Sequence, residues 1–191
     1  MKHQISLAVI FLFVACFIAN HADAAELAKT DSRLGGDFKL TDHNGHAFAL
    51  SQLRGQVVLI FFGYTFCPDI CPTELASLAS VLRTLRAQGH DNIKALFITL
   101  DPARDTPEKL KDYVRFFHPD LIGLTGTRSE IEGVANRYRV RFQRQQGMES
   151  YYTVDHTTNL YVIDSEGAVA ALVPYGLPPE HVIRVASKIL N

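Results

Sequence analysis

The longest unbroken apolar pattern in the body of the chain is Val57-Val58-Leu59-Ile60-Phe61-Phe62. A strand with one wet face alternates apolar and polar residues. A continuous run predicts a central strand buried on both faces, as in a parallel sheet. Residues 93–100 predict a second buried strand, and 121–124 a shorter one. Between them the period becomes helical. Leu75, Leu78, Ala79, Leu82 and Leu85 share one face of a helix predicted over 73–88, with Gly89 as its stop. Thr106 caps a second helix with Pro107 as its first residue, and its buried face is Leu110, Tyr113, Val114 and Phe117. His118-Pro119 ends it. Ser129 with Glu132 reads as the capping box of a third helix, lined by Ile131, Val134, Ala135 and Tyr138.

The flanks pair locally. Residues 37–42 and 47–50 enclose an Asn44-Gly45 turn and predict an N-terminal β-hairpin, with a helical turn over 51–55. Residues 139–144 alternate charge and apolarity, as an exposed strand would, and 145–150 form a polar loop. A strand over 159–163, a turn at Asp164 to Gly167 and a strand over 168–173 make a second hairpin. A last helix starts at Pro178-Pro179 and runs to about Leu190. A strand-helix-strand half followed by a hairpin and a helix is an α/β, thioredoxin-like arrangement. An exposed strand and loop are inserted before the strand at 159–163.

Composition removes some classes. With 47% apolar residues, 20% charged residues and a net charge of -1, the chain lacks the basic excess of a nucleic-acid binder. No internal repeat is visible. The N-terminus stands apart: Lys2 and His3, then an apolar stretch over 5–19, then Ala22-Asp23-Ala24. This is the pattern of a secretory signal peptide at 1–24. The apolar stretch falls short of the roughly 20 residues a bilayer requires, so an uncleaved anchor is the lesser reading. Lipid attachment at Cys16 is weaker still, because Phe13 suits that signal poorly. Residues 25–36 form a linker and 37–191 a single domain.

Beyond the leader only Cys67 and Cys71 remain, in Gly63-Tyr64-Thr65-Phe66-Cys67-Pro68-Asp69-Ile70-Cys71-Pro72. An oxidising compartment permits a structural disulfide, but a bridge closing so short a loop restrains the unfolded chain little. Metal binding or redox exchange suits the pair better. The thiols sit where the first central strand feeds its helix, so the helix N-terminus should lower their pKa. Thioredoxin-like oxidoreductases normally place two residues between the thiols. Three leave a wider bite for a soft metal ion such as Cu(I) or Zn, and a third ligand from the opposite loop would complete a trigonal site.

His43 and His46 read as solvated turn residues. His90, His118 and His181 sit at helix ends. His156 precedes the strand that, in this fold, faces the cysteines, where related reductases usually carry a cis-proline. No proline occurs between Pro119 and Pro174. By position alone a structural histidine and a ligand are equally good readings.

Tyr64-Thr65-Phe66-Cys67-Pro68-Asp69-Ile70-Cys71-Pro72, Asp101-Pro102-Ala103-Arg104-Asp105-Thr106-Pro107, Gly123-Leu124-Thr125-Gly126 and Tyr152-Thr153-Val154-Asp155-His156-Thr157 closely resemble the Sco/SenC family. Those proteins are thioredoxin-like copper-binding factors of cytochrome c oxidase assembly. The resemblance spans essentially the whole mature chain. It implies that Cys67, Cys71 and His156 bind copper, as Cu(I), Cu(II) or both. It also implies delivery to, or thiol reduction of, the dinuclear copper centre of an oxidase subunit in the periplasm. Another copper chaperone or a thiol reductase would be a further partner. Many relatives keep a transmembrane anchor, whereas this leader looks cleavable, which leaves membrane association open.

The other motif residues have plain roles. Asp101 and Asp105 should satisfy loop backbone and cap the helix, Arg104 should pair with an Asp, and Asp69 should either hydrogen-bond backbone N–H groups or discourage wrong partners rather than act as a ligand. The arginines at 139–144 read as a solvated edge, or as a docking surface for an acidic partner. Two functions compete with the copper carrier. A thiol-disulfide oxidoreductase would need only Cys67 and Cys71, as a redox-active pair. A peroxiredoxin-like peroxidase would use Thr65 beside Cys67, but the spacing is wrong and the second thiol too close.

Overall fold

The unbroken apolar run becomes β3 (Val57–Gly63), buried along its whole length. It pairs in parallel with β4 (Ile93–Thr99) and antiparallel with β8 (Leu160–Ile163). Both edges and both faces are covered, so no position needs a polar residue. The computed structural model describes residues 34–145 and 151–190. The predicted leader, Cys16 and the loop at 146–150 lie outside the described residues.

The remaining strands extend this core on both sides. β1 (Lys39–Asp42) and β2 (Ala47–Ala49) form the predicted N-terminal hairpin around Asn44-Gly45. β5 (Leu121–Thr125) pairs in parallel with β4 and antiparallel with β1. β9 (Val169–Val173) closes the second hairpin against β8. The strand order is β2-β1-β5-β4-β3-β8-β9. The helices are α1 (Ile70–Ala87), α2 (Pro107–Phe117), α3 (Arg128–Arg137) and α4 (Pro179–Leu190), and α1 packs against α4. The fold is the α/β, thioredoxin-like one that the element order predicts. Leu34, Gly35 and Gly36, at the end of the predicted linker, already pack on this domain. The Gly35 N–H donates to Arg137 O at 2.9 Å, and Tyr138 donates to Gly36 O at 3.1 Å.

Three local expectations change. α1 starts at Ile70 rather than 73, so Cys71 is inside its first turn. Pro72 does not delay the start, because a first-turn N–H has no intrahelical acceptor to lose. The capping box of α3 is Thr127 with Glu130, not Ser129 with Glu132. Thr127 N–H donates to Glu130 Oε2 at 2.7 Å, and Glu130 N–H to Thr127 Oγ1 at 3.3 Å. Both pairs have the right spacing, but Glu132 is taken by Arg128, at 2.8 Å. Finally, 139–144 is not one strand. Arg139 lies at φ 55° and ends the helical segment, and Val140 is buried. Only β6 (Phe142–Arg144) is extended.

On α1 the buried face includes Glu74, 8% exposed, four residues before Leu78. Desolvation pushes its carboxyl up to about 7. The folded state therefore binds more protons than the unfolded one between pH about 4.5 and 7, and stability falls as pH rises through that window. Glu74→Gln is expected to raise stability at pH 8 by on the order of 2–3 kcal/mol, as measured by urea unfolding. The gain should vanish by pH 4. A gain that is independent of pH would contradict this account.

Candidate metal and dithiol site

The cysteines are placed by the end of β3. A Cβ on Gly63 would lie 2.7 Å from Cys71 Sγ and 2.8 Å from the Phe97 ring, so only glycine lets that sulfur pack on the strand. The chain then turns, with the Cys67 N–H donating to Tyr64 O at 3.2 Å. Cys67 is half-buried and Cys71 fully buried, and both are free thiols. The Tyr64 backbone and the Cys67 thiol both lie close enough to the Cys71 sulfur to act on its ionisation. The helix N-terminus was expected to lower the thiol pKa. Burial wins at Cys71 and pushes its thiol strongly up. Asp69 stands at the N-cap of α1, exposed and without the expected backbone hydrogen bond.

The opposite wall is a separate two-stranded ribbon, β6 paired with β7 (Val154–His156). His156 was expected in a loop but ends this ribbon. Thr157, the next residue, is tied to Arg141 twice: its N–H donates to Arg141 O at 2.9 Å, and its hydroxyl accepts the Arg141 N–H at 3.1 Å. Its carbonyl is thereby fixed and accepts His156 Nδ1–H at 2.9 Å. A carbonyl can only accept, so the Nδ1 proton is assigned and Nε2 carries the lone pair. That Nε2 lies 3.8 Å from Cys71 Sγ. The ring is held edge-on between Phe61 and Tyr64, with centroids 6.2 and 6.1 Å away. Burial lowers the His156 pKa below the usual imidazole range, so the ring is neutral at pH 7.

Two acids from the β4–α2 loop brace this arrangement. Asp105 is fully buried and caps nothing; Thr106 caps α2. Its carboxylate accepts Thr65 N–H at 3.0 Å, Thr65 Oγ1–H at 2.5 Å and Thr99 Oγ1–H at 2.6 Å, fixing the turn that leads to Cys67. Asp101 pairs with Arg104, as expected, and accepts the Tyr152 hydroxyl at 2.6 Å. Tyr64, Thr65 and Tyr152 were not singled out as supports. Their signal was adjacency to Cys67 and His156 within the same motifs.

The other histidines stay away. His43 is not a solvated turn residue: its Nδ1 accepts the Gly123 N–H at 3.0 Å, pinning the first hairpin to β5. His46 is exposed, as expected, and His118 accepts the Asp120 N–H. Among the described residues no three His, Cys, Asp or Glu side chains are gathered into a ready-made metal cage. Cys71 and His156 are brought together, and Cys67 stands at the mouth.

The family model described as SCO1/SenC matches residues 26–191. A SCO2-like protein of Rickettsia felis is 41% identical over 148 residues, 76% of this chain and 72% of that protein. Mitochondrial Protein SCO2 of Saccharomyces cerevisiae is 45% identical over 136 residues, 70% of this chain but only 45% of its own length. The structure of Bradyrhizobium japonicum ScoI with copper bound superposes with a TM-score of 0.75 at 40% identity, covering 82% of this chain and 99% of that one. The matched region contains the dithiol turn, the acidic loop and the His156 ribbon, and the chain belongs to the SCO1/SenC family.

Proposed function

We propose that this protein is a copper metallochaperone that binds copper through Cys67, Cys71 and His156. It delivers the metal to the dinuclear copper centre of cytochrome c oxidase. One observation carries the reading: a neutral imidazole, tethered through Nδ1, presents a bare Nε2 3.8 Å from the Cys71 sulfur. A late first-row metal about 2.3 Å from a sulfur and about 2.0 Å from a nitrogen, with ligands about 120° apart, separates those atoms by about 3.7 Å. Rotation of Cys67 about its side-chain bond supplies the third ligand from the mouth. Copper-bound ScoI supports the same cargo.

Binding must displace thiol protons, above all from Cys71, whereas His156 has none to lose at pH 7. Residues 1–24 act as an export signal, and the periplasmic domain begins at the end of the predicted linker, where Leu34 to Gly36 already pack on it. No helix among the described residues is long and apolar enough to cross a membrane. The test is copper titration of the reduced protein against a competing chelator, followed by transfer to the copper-centre domain of the oxidase subunit. One retained and transferable equivalent is expected. A protein that loses its copper on desalting would refute the assignment.

A second reading, thiol-disulfide exchange with the cysteines of that subunit or of a copper carrier, has its own support. Cys67 is accessible and Cys71 is buried behind it. Cys67 would attack a partner disulfide, and Cys71 would resolve the mixed disulfide and release the reduced partner. Alkylation of the reduced protein at pH 8 is expected to modify Cys67 first. Cys71→Ser should trap the mixed disulfide that Cys67→Ser cannot form. Equal labelling of both thiols, with no trapped species, would remove this reading.

A further inference from the structure

The geometry points to Arg104 as the positioning residue that clamps the His156 ribbon to the dithiol turn and so holds the third ligand in place. The inference rests on the copper site proposed above. The ribbon is outside the main sheet, so no ladder hydrogen bond joins His156 directly to the strand that leads into the cysteines. Side chains help set the distance between them, and one guanidinium reaches both halves.

On the ribbon side, Arg104 Nη1 donates to Tyr152 O at 3.1 Å, and its guanidinium carbon lies 3.5 Å from the Tyr152 ring centroid. Tyr152 is four residues before His156. On the dithiol side the same carbon lies 4.6 Å from the ring of Phe66, the neighbour of Cys67, and 5.8 Å from that of Tyr64. Arg144 stacks on Tyr152 at 3.6 Å. A ring face has room for one guanidinium at that distance, so the tyrosine is held between two cations. Asp101 fixes the whole unit by pairing with Arg104 and accepting the Tyr152 hydroxyl at 2.6 Å.

Partly desolvated, these stacks are stronger than exposed ones, and the Arg104 side chain is only 14% exposed. Lysine cannot replace it. An ammonium lacks the plane that stacks on two rings and the fork that bonds Asp101 and the Tyr152 carbonyl together. The ring contacts of His156 with Phe61 and Tyr64, at centroid distances of 6.2 and 6.1 Å, add packing to this clamp.

The test is a double-mutant cycle on the copper-loaded full chain, read as copper dissociation into a chelator and as the Cu(II) absorption spectrum. Arg104→Ala is expected to speed dissociation at least about 10-fold and to move the spectrum toward that of His156→Ala. In the His156→Ala background it should add nothing, because Arg104 acts through that ligand. Arg104→Lys should fail to rescue, and Tyr152→Phe should give an intermediate effect. A purely structural role would lower the melting temperature without moving the spectrum. If Arg104→Ala matches wild type, or accelerates dissociation equally in both backgrounds, the clamp is wrong. If His156→Ala itself holds copper like wild type, the ligand assignment fails instead. Should Arg104→Ala not fold, Arg104→Lys carries the same cycle.

Discussion

Cu(II) bound to the His156→Ala variant is expected to be held roughly 100-fold more weakly than by the parent, with two fully titratable thiols retained. The expectation follows from what alanine removes. Nε2 is a nitrogen donor facing Cys71, 3.8 Å away, and its lone pair is secured by the Nδ1–H bond to Thr157 O. Two thiolates remain, and soft sulfur favours Cu(I), so the loss for Cu(I) should be much smaller. The variant therefore changes the preference between oxidation states, not only the affinity. Alanine also empties the space between Phe61 and Tyr64. His156→Phe refills that space without a nitrogen and should lose Cu(II) equally while recovering stability. Competition titrations of both variants in each oxidation state decide the matter. Unchanged Cu(II) affinity in His156→Ala would sink the site.

Periodicity carried most of the fold. The run at 57–62 reads as a doubly buried strand because nothing in a buried ladder calls for a polar residue, and β3 is that strand. The helix faces are legible for the same reason, down to Thr106-Pro107 at the start of α2. The errors lie where two local solutions compete. Thr127 and Ser129 each stand three residues before a glutamate, and only the Arg128–Glu132 pair decides between them. Arg139 to Arg144 alternates as a strand does, but the left-handed turn at Arg139 takes up its first part.

In the site, Cys67, Cys71 and His156 were legible as candidates from residue type, place in the fold and family resemblance. The braces were not. Asp105 sits 40 residues from Thr65, and Arg104 sits 48 from Tyr152. Both belong to a loop whose aspartates look like ordinary cap and turn residues. The Asp105 partners follow from the parallel register of β3 and β4, which sets Gly63 beside Thr99, and the Arg104 partner from the docking of a ribbon outside that sheet. No one-dimensional pattern encodes that register. The Cys71 pKa differs for a related reason: its place near a helix N-terminus is legible, but its burial depends on Gly63 and Phe97.

Asp105→Ala is expected to cost on the order of 3 kcal/mol in stability and to loosen copper binding, although Asp105 touches neither cysteine nor His156. The carboxylate is fully buried and accepts three hydrogen bonds, two of them from Thr65. Alanine leaves the Thr65 N–H and two hydroxyls without acceptors where water has little access, and each orphan costs more than a hydrogen bond gains. Burial nonetheless pushes the Asp105 pKa above the usual carboxylate range, against the three hydrogen bonds that lower it. The sign follows: between the unfolded pKa and the raised folded value the native state binds the extra proton, so ionisation erodes stability as pH rises through that window. The hydrogen bonds, not the charge, are what the fold uses. Asp105→Asn keeps an acceptor for Thr65 N–H, and the hydroxyls can turn to suit the amide, so it should cost less than about 1 kcal/mol at pH 7. Urea unfolding of both variants, with copper titration alongside, separates the two contributions. If asparagine proves as damaging as alanine, the fixed charge matters more than the hydrogen bonds. If alanine is harmless, Asp105 does not hold the Cys67 turn.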